Sequence, residues 1–434
     1  MQRKVSENSS LMDCDWIPNL LLATNNFNGQ TLIEWNAVES RTDFGFMSSI
    51  YVAQMITSDG EIEYRHDLII KVMKGSEEFR QYSQSYVQFQ NEIFFYDKLF
   101  PHFHAYLLNK ASVINLNHWL PKTYLSIRQI DETVLVQENI QKIGFDVEQT
   151  LYLTEDHLNL MIECLAQFHA VSLAQKIENE KEFLHLLDDI QPLCFEQPNC
   201  LPSLYDVLHE ISTTRLFDFV FGHGGHDDKF LQDMHRLKEV IGDKPVKLLD
   251  RFREIDDFAV IVHGDYHRNN VLFKKVNNNC VADMKMIDFQ QIRYGSPCLD
   301  LSFFMYLNVS ADLRDSSWDK MLQKYHQQLV KHVAGILHIS TNDPTLTCYS
   351  YDKFLQHYRR YFLYGALISA SFTPWLLTNK SETEKVVSLF QTDMFDQKYR
   401  QFALVVGGEA ANKRVLDNMI HASRQGYMEM LYDC

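Results

Sequence analysis

The stretch that most constrains the fold of this chain runs from Val260 to Leu301. It opens with a short apolar strand, VIV, and continues into the polar loop His-Gly-Asp. Asn270 comes five residues after Asp265, a second apolar strand follows, and a third strand, MKMI, leads to Asp288. Because these polar residues lie at strand ends, the pattern predicts a hairpin that carries a carboxylate, an amide and a second carboxylate.

Phosphoryl transfer requires this set of groups. One aspartate orients or deprotonates the attacking hydroxyl, while an asparagine and another aspartate hold Mg²⁺ on the nucleotide phosphates. The step from Asp265 to Asn270 equals that of the protein-kinase catalytic loop His-Arg-Asp-x-x-x-x-Asn, although here glycine replaces the arginine. Polar loops between strands are often only turns. The second aspartate and the GSPCLDL continuation favour a functional site instead.

The pattern HGDxxxxN with a downstream Ile-Asp-Phe resembles that of small-molecule kinases related to aminoglycoside and choline kinases. The fuller text, HGDYHRNNVLF and IDFQQIRYGSPCLDLSFF, resembles the ecdysteroid-kinase-like (CHK-kinase-like) proteins of insects. The resemblance extends from about residue 40 to the region of Tyr427. It implies an α+β, two-lobed protein-kinase-like fold. The β-rich, nucleotide-binding amino-terminal lobe would span residues 1–140, and the mostly helical lobe with the catalytic hairpin and the acceptor site would span residues 141–434.

The resemblance also implies an activity, the ATP-dependent phosphorylation of a hydroxyl on an ecdysteroid or a similar hydroxylated small molecule. ATP and Mg²⁺ would be the cofactors. Asp265 would be the base, and Asn270 and Asp288 would hold the metal. Asp300, in the GSPCLD segment, would brace the catalytic loop in a structural role.

A lysine and a glutamate in the amino-terminal third match the kinase ion pair that positions the α and β phosphates. Lys71 interrupts the apolar strand LIIKVM, where a buried ammonium needs a partner. Glu92 follows about twenty residues later in a segment of helical character, YVQFQNEIFFYDKL. A lysine on the solvent face of a strand is the plainer alternative for Lys71.

The phosphate-covering loop is the weaker match to the family. Gly45, Ser48 and Ser49 occupy the place of its G-x-N-F/Y-x-S loop, without the asparagine. Backbone N–H groups of such a turn can bind phosphate. The strand TVLVQENI ends at Glu138 and Ile140, where the resemblance places the hinge and the adenine-binding backbone groups.

Charge and composition limit the classes of molecule that this protein is expected to bind and the compartment in which it is expected to lie. The formal charge of −16 argues against nucleic-acid or anionic-membrane binding. The sequence contains no run of eighteen or more apolar residues, so no transmembrane helix is predicted. The amino terminus lacks the apolar core of a signal peptide. The eight cysteines form no C-x-x-C pair, which favours a reducing compartment, so we expect a cytoplasmic protein. A monomer is the expected state, although the sequence does not define it.

Three further segments each allow more than one interpretation. His169 lies on the apolar face of a helix with Leu165 and Phe168, which favours a packed core histidine over a catalytic one. The aromatic-rich residues 351–378 favour core packing over the wall of an acceptor pocket. The loop GHGGHDD, 222–228, could be a metal site or an oxyanion element, but an esterase also needs G-x-S-x-G, which is missing here, so a turn between helices is favoured.

Three alternative functions remain at this point. A protein kinase is disfavoured because His-Gly-Asp replaces His-Arg-Asp and neither Asp-Phe-Gly nor Ala-Pro-Glu occurs. An aminoglycoside- or choline-kinase-type phosphotransferase would use the same chemistry on another small acceptor. A catalytically inactive nucleotide- or steroid-binding protein is favoured only by the glycine-poor phosphate loop.

Overall fold

The computed structural model describes residues 16–40, 48–128, 133–191, 193, 203–242, 244–276, 280–378, 380–392 and 396–432. It contains two compact units, Met1–Ser76 with Pro121–Gly144 and Glu77–Leu120 with Phe145–Cys434. The smaller unit is built on a β-sheet and the larger is mostly helical, which confirms the predicted α+β class. Residues Glu77–Leu120 group with the larger unit. The lobe boundary at residue 140 stays a prediction.

The smaller unit is a five-stranded antiparallel sheet in the order β1-β2-β3-β5-β4. Its strands are β1 (Thr31–Glu39), β2 (Ser48–Ser58), β3 (Glu63–Met73), β4 (Thr123–Ile127) and β5 (Val134–Glu138). A short helix, α1 (Ile17–Leu22), buries Ile17 and Leu21 in a cluster with Met55 and Ile70 of the sheet. This shared core joins the described amino-terminal residues to the strands.

β1 is the one strand of this sheet that the sequence did not predict. Most of its residues are exposed, including Ile33 and Val38, because β1 pairs only with β2 among the described strands. An exposed edge strand carries little hydrophobic periodicity, which is the signal that sequence prediction depends on. The strands predicted at 68–73 and 133–140 are confirmed, since they overlap β3 and β5.

The larger unit contains fifteen of the described α-helices and five short strands. The helices are α2 (Glu77–Tyr82), α3 (Ser85–Phe94), α4 (Phe100–Asn109), α5 (Leu116–Trp119), α6 (Glu155–Leu186), α7 (Leu204–Gly222), α8 (Asp228–Ile241), α9 (Val246–Arg251), α10 (Cys298–Asn308), α11 (Ala311–Leu337), α12 (Tyr351–Tyr361), α13 (Leu363–Leu376), α14 (Lys380–Thr392), α15 (Gln397–Ala403) and α16 (Gly408–Arg424). The strands are β6 (Phe145–Val147), β7 (Val260–Val262), β8 (Val271–Lys275), β9 (Val281–Met286) and β10 (Arg293–Gly295). Among the described helices, none is long and apolar enough to cross a membrane.

Helix α6 is the central element of the larger unit and packs along α11. Its predicted apolar face is buried, including Leu165 and Phe168. Thr154 occupies the N-cap position, but its hydroxyl pairs with the His157 ring nitrogen at 2.7 Å instead of capping a backbone N–H. The helix is kinked at Asn179, whose φ of −153° and ψ of 81° are not helical.

The aromatic segment at 351–378 divides at Phe362 into α12 and α13, and most of α13 is buried. Core packing, the favoured interpretation, is therefore confirmed for this segment. Helix α13 lies directly against α10 at Gly365. A Cβ atom at Gly365 would come within 2.3–2.4 Å of the carbonyl group of Ser302. Only glycine permits this approach of the two helix backbones.

We expect Gly365→Ala to destabilise the protein by about 3 kcal/mol, because the methyl group would force two packed helices apart. Gly335→Ala is the matched control. Gly335 is also helical, but its Cβ position meets no atom within 4 Å. The added methyl group there should stabilise the protein by up to about 1 kcal/mol through helix propensity. Urea unfolding at neutral pH measures both, and equal effects would contradict the packing argument.

Candidate active site

The His-Gly-Asp loop lies between two small sheets of the larger unit. β7 pairs with β10, with Val262 opposite Arg293, while β8 pairs with β6 and β9. Residues 263–270 connect β7 to β8 and end in a 3₁₀ turn, Arg268–Asn270. All residues of β7 are buried, so the loop begins from a fixed core position.

Asp265 and Asn270 are in direct contact. The Asn270 amide nitrogen donates to the Asp265 carbonyl oxygen and to its carboxylate Oδ2, both at 2.9 Å. The five-residue spacing therefore brings the predicted base and one predicted metal ligand together. Because the amide N–H groups serve Asp265, the Asn270 amide oxygen is the atom suited to a cation.

Two histidines of the loop hold Asp265 from other sides. His263 Nε2 lies 3.0 Å from the Ile287 carbonyl oxygen, and its Nδ1 accepts the Asp265 backbone N–H at 3.3 Å. His267 Nε2 lies 3.3 Å from Asp265 Oδ1, while its Nδ1 accepts the Asn269 backbone N–H at 3.4 Å. These contacts assign the proton to Nε2 in both rings. Each Asp265 carboxylate oxygen thus has one side-chain partner.

The surroundings of Asp265 keep its carboxylate ionised. Burial alone would raise its pKa, but the neighbouring His267 and His263 and the Asn270 amide more than offset burial. The pKa of Asp265 therefore lies below its usual value of 3.8. Asp265 is a carboxylate at neutral pH.

Gly264 explains why this loop has His-Gly-Asp instead of His-Arg-Asp. Its φ is +83°, in the left-handed region that favours glycine. A Cβ atom there would lie 2.0 Å from the Gln291 carbonyl oxygen and 2.7 Å from Arg293 Nη1. The Arg293 guanidinium, from β10, therefore occupies the space beside the loop.

Asp300 braces the loop, as the sequence predicted. Its carboxylate, in the first turn of α10, accepts the backbone N–H of His263 at 2.6 Å and that of Gly264 at 2.8 Å. His169 Nε2 lies 3.1 Å from Asp300 Oδ2, and its Nδ1 lies 2.7 Å from the Tyr325 hydroxyl. His169 is fully buried, which confirms its predicted place in the core.

Asp288 follows β9 and has a left-handed backbone, with φ of 67°. The next residue, Phe289, is fully buried and stacks on Phe95 with ring centroids 3.7 Å apart. The Ile287 backbone N–H donates to the Asn270 carbonyl oxygen at 3.0 Å. The chain segments that carry the two predicted metal ligands are thus joined one residue away from Asp288.

The predicted phosphate-binding residues fall in two units. Lys71 lies in β3 opposite Ile50 and Leu135 and is 8% exposed. Glu92 lies in α3 of the larger unit and is 1% exposed. Both are buried charged residues, which need partners. The Lys71–Glu92 ion pair stays a prediction.

The remaining predicted nucleotide contacts lie in the smaller unit. Gly45 falls outside the described residues, and Ser48 and Ser49 begin β2. Glu138 ends β5, and its backbone N–H donates to the Lys122 carbonyl oxygen at 2.8 Å. Ile140 is buried at the start of a 3₁₀ turn, Ile140–Ile143. Their roles toward a nucleotide stay predictions.

The GHGGHDD loop joins α7 to α8 as a turn, which was the favoured interpretation. Asp227 caps α8 by accepting the Phe230 backbone N–H at 2.8 Å, and His223 Nδ1 lies 2.8 Å from the Phe219 carbonyl oxygen. Within the described ranges, no group of three or more His, Cys, Asp or Glu side chains could hold a metal ion.

A Ser-His-Asp hydrogen-bond chain lies next to the loop and has a structural role. Ser296 Oγ is 2.7 Å from His357 Nε2, and His357 Nδ1 is 2.6 Å from Asp256 Oδ2. Ser296 is 1% exposed, and its oxygen also accepts the Cys298 backbone N–H. A nucleophile must be reached by its substrate, so this chain fixes α12 to the Gly-Ser-Pro turn instead of catalysing hydrolysis.

Sequence reasoning missed four side chains that shape the site. His267 could have been identified from the sequence, because it stands two residues after Asp265 in the same motif. Arg293 also stands in the quoted stretch, but nothing in the sequence shows that it packs on Gly264. Tyr205 and Gln88 contact Gln291 from 86 and 203 residues away in the chain, so no local pattern could indicate them.

We expect Asp300→Asn to cost about 3–5 kcal/mol of stability at neutral pH, because the amide leaves a buried donor or histidine without its carboxylate partner. Asp312→Asn, in the exposed first turn of α11, is the matched control and should change stability by less than about 0.5 kcal/mol. Urea unfolding of both variants measures this. A loss of the same size in both variants would contradict the bracing role.

The same comparison has a predicted pH dependence. Burial alone would raise the pKa of Asp300, but His169, His263 and the Gly264 N–H more than offset it, so the folded pKa lies below the usual 3.8. A carboxyl group whose pKa is lower in the folded protein than in the unfolded chain stabilises the fold fully at pH values above the unfolded pKa. This stabilisation is lost as the pH falls through the folded pKa. The stability gap between wild type and Asp300→Asn should therefore shrink below about pH 4. A gap that widens there would contradict the assignment.

The model of the ecdysteroid kinase-like family matches residues 44–337. No curated protein matches the sequence.

Three solved structures illustrate the structural likeness. The GDP complex of wild-type aminoglycoside 2'-phosphotransferase-IIIa is 12% identical, covers 94% of this chain and 99% of its own, and has a TM-score of 0.41. The microcompartment-associated aminopropanol kinase is 11% identical over 90% of this chain and 94% of its own, with a TM-score of 0.39. A ternary complex of aminoglycoside phosphotransferase APH(4)-Ia with AMP-PNP and hygromycin B is 10% identical over 94% and 98%, with a TM-score of 0.31.

Proposed function

Since the chain belongs to the ecdysteroid kinase-like family, we propose that it transfers the γ-phosphoryl group of ATP to a hydroxyl of a small organic acceptor. The observation that carries the proposal is the contact between Asp265 and Asn270, in a loop joined through Ile287 to the segment bearing Asp288. This arrangement supplies a carboxylate for the acceptor hydroxyl and oxygen ligands for a metal–nucleotide complex.

Asp265 is the residue that faces the acceptor hydroxyl. Its pKa is low, so it is ionised at neutral pH but is a weak base. It therefore orients the hydroxyl by accepting its hydrogen bond. It takes the proton as the new O–P bond forms and the bond from the γ-phosphorus to the β,γ-bridging oxygen breaks, which releases ADP. His267 and Asn270 hold the two carboxylate oxygens during this step. General base catalysis of this kind contributes about 10²- to 10⁴-fold to the rate.

Asn270 and Asp288 fit a magnesium ion. An amide oxygen and a carboxylate are hard oxygen ligands, and Mg²⁺ is commonly held by one or two protein oxygens together with substrate phosphates and water. The Asn270 amide nitrogen is already bonded to Asp265, which orients its oxygen. When bound, the ion would neutralise charge on the transferred phosphoryl group.

The nucleotide is proposed to bind through the residues predicted from the sequence. Lys71, oriented by Glu92, would contact the α and β phosphates. The Gly45, Ser48 and Ser49 loop would cover the phosphates, and the backbone around Glu138 and Ile140 would hold the adenine. The burial of Lys71 supports this assignment, because a buried ammonium beside apolar strand neighbours needs an anionic partner.

The acceptor is proposed to be an ecdysteroid or a similar hydroxylated metabolite, which is the class that the family name indicates. The bonded Asp265–Asn270 pair supports an active enzyme over an inactive nucleotide- or steroid-binding protein. Such a protein would have no need of a positioned base.

We expect the wild-type protein to transfer phosphate from labelled ATP, with Mg²⁺, to at least one member of a panel containing ecdysone, salicin and hygromycin B. Asp265→Asn should lower kcat by about 10²- to 10⁴-fold, because the amide cannot take the hydroxyl proton. Nucleotide affinity should stay within about twofold, since Asp265 is not assigned to the nucleotide.

Asp312→Asn is the control for the substitution and should keep the wild-type kcat, because Asp312 is exposed in α11. Transfer by Asp265→Asn at the wild-type rate would contradict the role of Asp265. A wild-type protein that binds Mg²⁺–ATP but labels no acceptor would contradict the proposed acceptor class.

A further inference from the structure

A cluster of hydrogen-bonded side chains adjoins the His-Gly-Asp loop on the side of β10. It comprises Tyr205 of α7, Gln291, Arg293 of β10 and Tyr364 of α13, and we refer to it as the Arg293 cluster. The Gln291 amide nitrogen lies 3.2 Å from the Tyr205 hydroxyl, and Arg293 Nη2 lies 3.0 Å from the Tyr364 hydroxyl. Tyr205, Gln291 and Arg293 are all half-buried, so each reaches the protein surface.

The cluster lies directly beside the proposed base. The Gln291 carbonyl oxygen and Arg293 Nη1 are the atoms nearest to the Cβ position of Gly264, the residue before Asp265. Burial raises the pKa of Tyr205 to about 12, and the charge of Asp265 contributes to that rise. Tyr205 is therefore a neutral hydroxyl within electrostatic range of the base.

The cluster and the proposed metal ligands are carried by different sheets. Arg293 belongs to the β7–β10 pair, whereas Asn270 immediately precedes β8 and Asp288 follows β9 of the three-stranded sheet. Asp265 lies in the loop that connects β7 of one sheet to β8 of the other. With Asn270 and Asp288 assigned to the metal–nucleotide complex, the β10 side of the loop remains for the acceptor.

Arg293 has unused binding capacity on this side. Of its five N–H groups, one donates to the Gln291 carbonyl oxygen at 3.2 Å and one to the Tyr364 hydroxyl. Across the described part of the chain, no carboxylate forms an ion pair with Arg293. A half-buried guanidinium without a counter-ion attracts oxygen atoms that carry negative or partial negative charge, and it repels ammonium groups.

Two neighbouring side chains fix the orientation of the Gln291 side chain. Its amide nitrogen donates to Gln88 Oε1 at 3.2 Å as well as to Tyr205, and Gln88 is 1% exposed. Both amide hydrogens are thereby used, and the amide oxygen has no partner among the residues that the structure describes. The cluster thus offers guanidinium donors and an amide acceptor, both fixed by neighbouring side chains.

We propose that the Arg293 cluster is the acceptor-selecting site, in which Arg293 and Gln291, with the Tyr205 hydroxyl beside them, bind an oxygen substituent next to the hydroxyl that Asp265 activates. The inference rests on the proposed function and specifies its acceptor side. Acceptors that bear a hydroxyl, keto or carboxylate oxygen at this position are favoured, and acceptors with an amine there are rejected. Arg293 and Tyr205 are specificity-determining residues that leave the phosphoryl transfer itself to Asp265.

The test uses Tyr205→Phe and Arg293→Lys in the full-length protein with the panel acceptor that the wild type phosphorylates. Tyr205→Phe removes one hydroxyl, and Arg293→Lys keeps the charge but removes the planar donors. Each variant should raise the KM for the acceptor about tenfold, as expected for the loss of one directional hydrogen bond. The KM for ATP and kcat should stay within about threefold.

Two controls separate this role from a structural one. Tyr106→Phe removes a hydroxyl that bonds Glu178 at an exposed site, and Arg360→Gln removes an exposed guanidinium paired with Glu254. Both should leave the acceptor KM unchanged. A merely structural role of the Arg293 cluster would instead lower kcat and stability without a selective change in the acceptor KM.

The outcomes that overturn the inference are separate from those that overturn the proposed function. An unchanged acceptor KM in both Tyr205→Phe and Arg293→Lys would overturn the inference, and so would wild-type transfer to the cationic hygromycin B as efficient as that to ecdysone. Failure of the proposed function would appear in the wild type, as no transfer to any acceptor of the panel.

Discussion

The geometry of the candidate site depends on the carboxylate of Asp300. A loop that turns through left-handed Gly264 exposes two consecutive backbone N–H groups that no strand partner accepts, and both donate to Asp300. Burying these donors without an acceptor would cost free energy. Asp300 is itself buried, and His169 supplies its hydrogen-bonding partner. One carboxylate at the start of α10 therefore connects the central helix α6 to the loop that carries Asp265.

The loop in turn separates two sets of groups. On one side, Asn270 precedes the central strand β8 of the three-stranded sheet and Asp288 follows β9, with Phe289 anchored by its stack on Phe95. On the other side, the short β7–β10 pair brings Arg293 against Gly264. Glycine at position 264 permits the approach of Arg293, because a Cβ atom there would displace the Gln291 carbonyl group and the guanidinium. The replacement of arginine by glycine in the kinase-like motif thus has a physical consequence, the admission of a guanidinium from another strand.

The sequence predicted the local features of this site and missed the distant ones. The step between Asp265 and Asn270 is a property of one short loop, so spacing alone indicated that both belong to one hairpin. The burial of His169 followed from helical periodicity in α6. Tyr205 and Gln88 reach Gln291 only through tertiary packing, and the segment containing Tyr205 showed no motif. β1 was missed because its exposed edge position leaves no apolar pattern. The contact of Lys71 with Glu92 remains a prediction, because the two residues belong to different compact units.

Calorimetric titration of the protein with AMP-PNP tests the central claim, that Asn270 and Asp288 hold a metal–nucleotide complex beside Asp265. The wild type should bind the nucleotide in the presence of Mg²⁺ and at least tenfold more weakly in EDTA, since an ion held by Asn270 and Asp288 would supply positive charge for the phosphates. Asp288→Asn should bind equally weakly with and without Mg²⁺, whereas Asp312→Asn should behave as the wild type. Nucleotide binding that is independent of Mg²⁺ in the wild type, or a full magnesium effect in Asp288→Asn, would contradict the account.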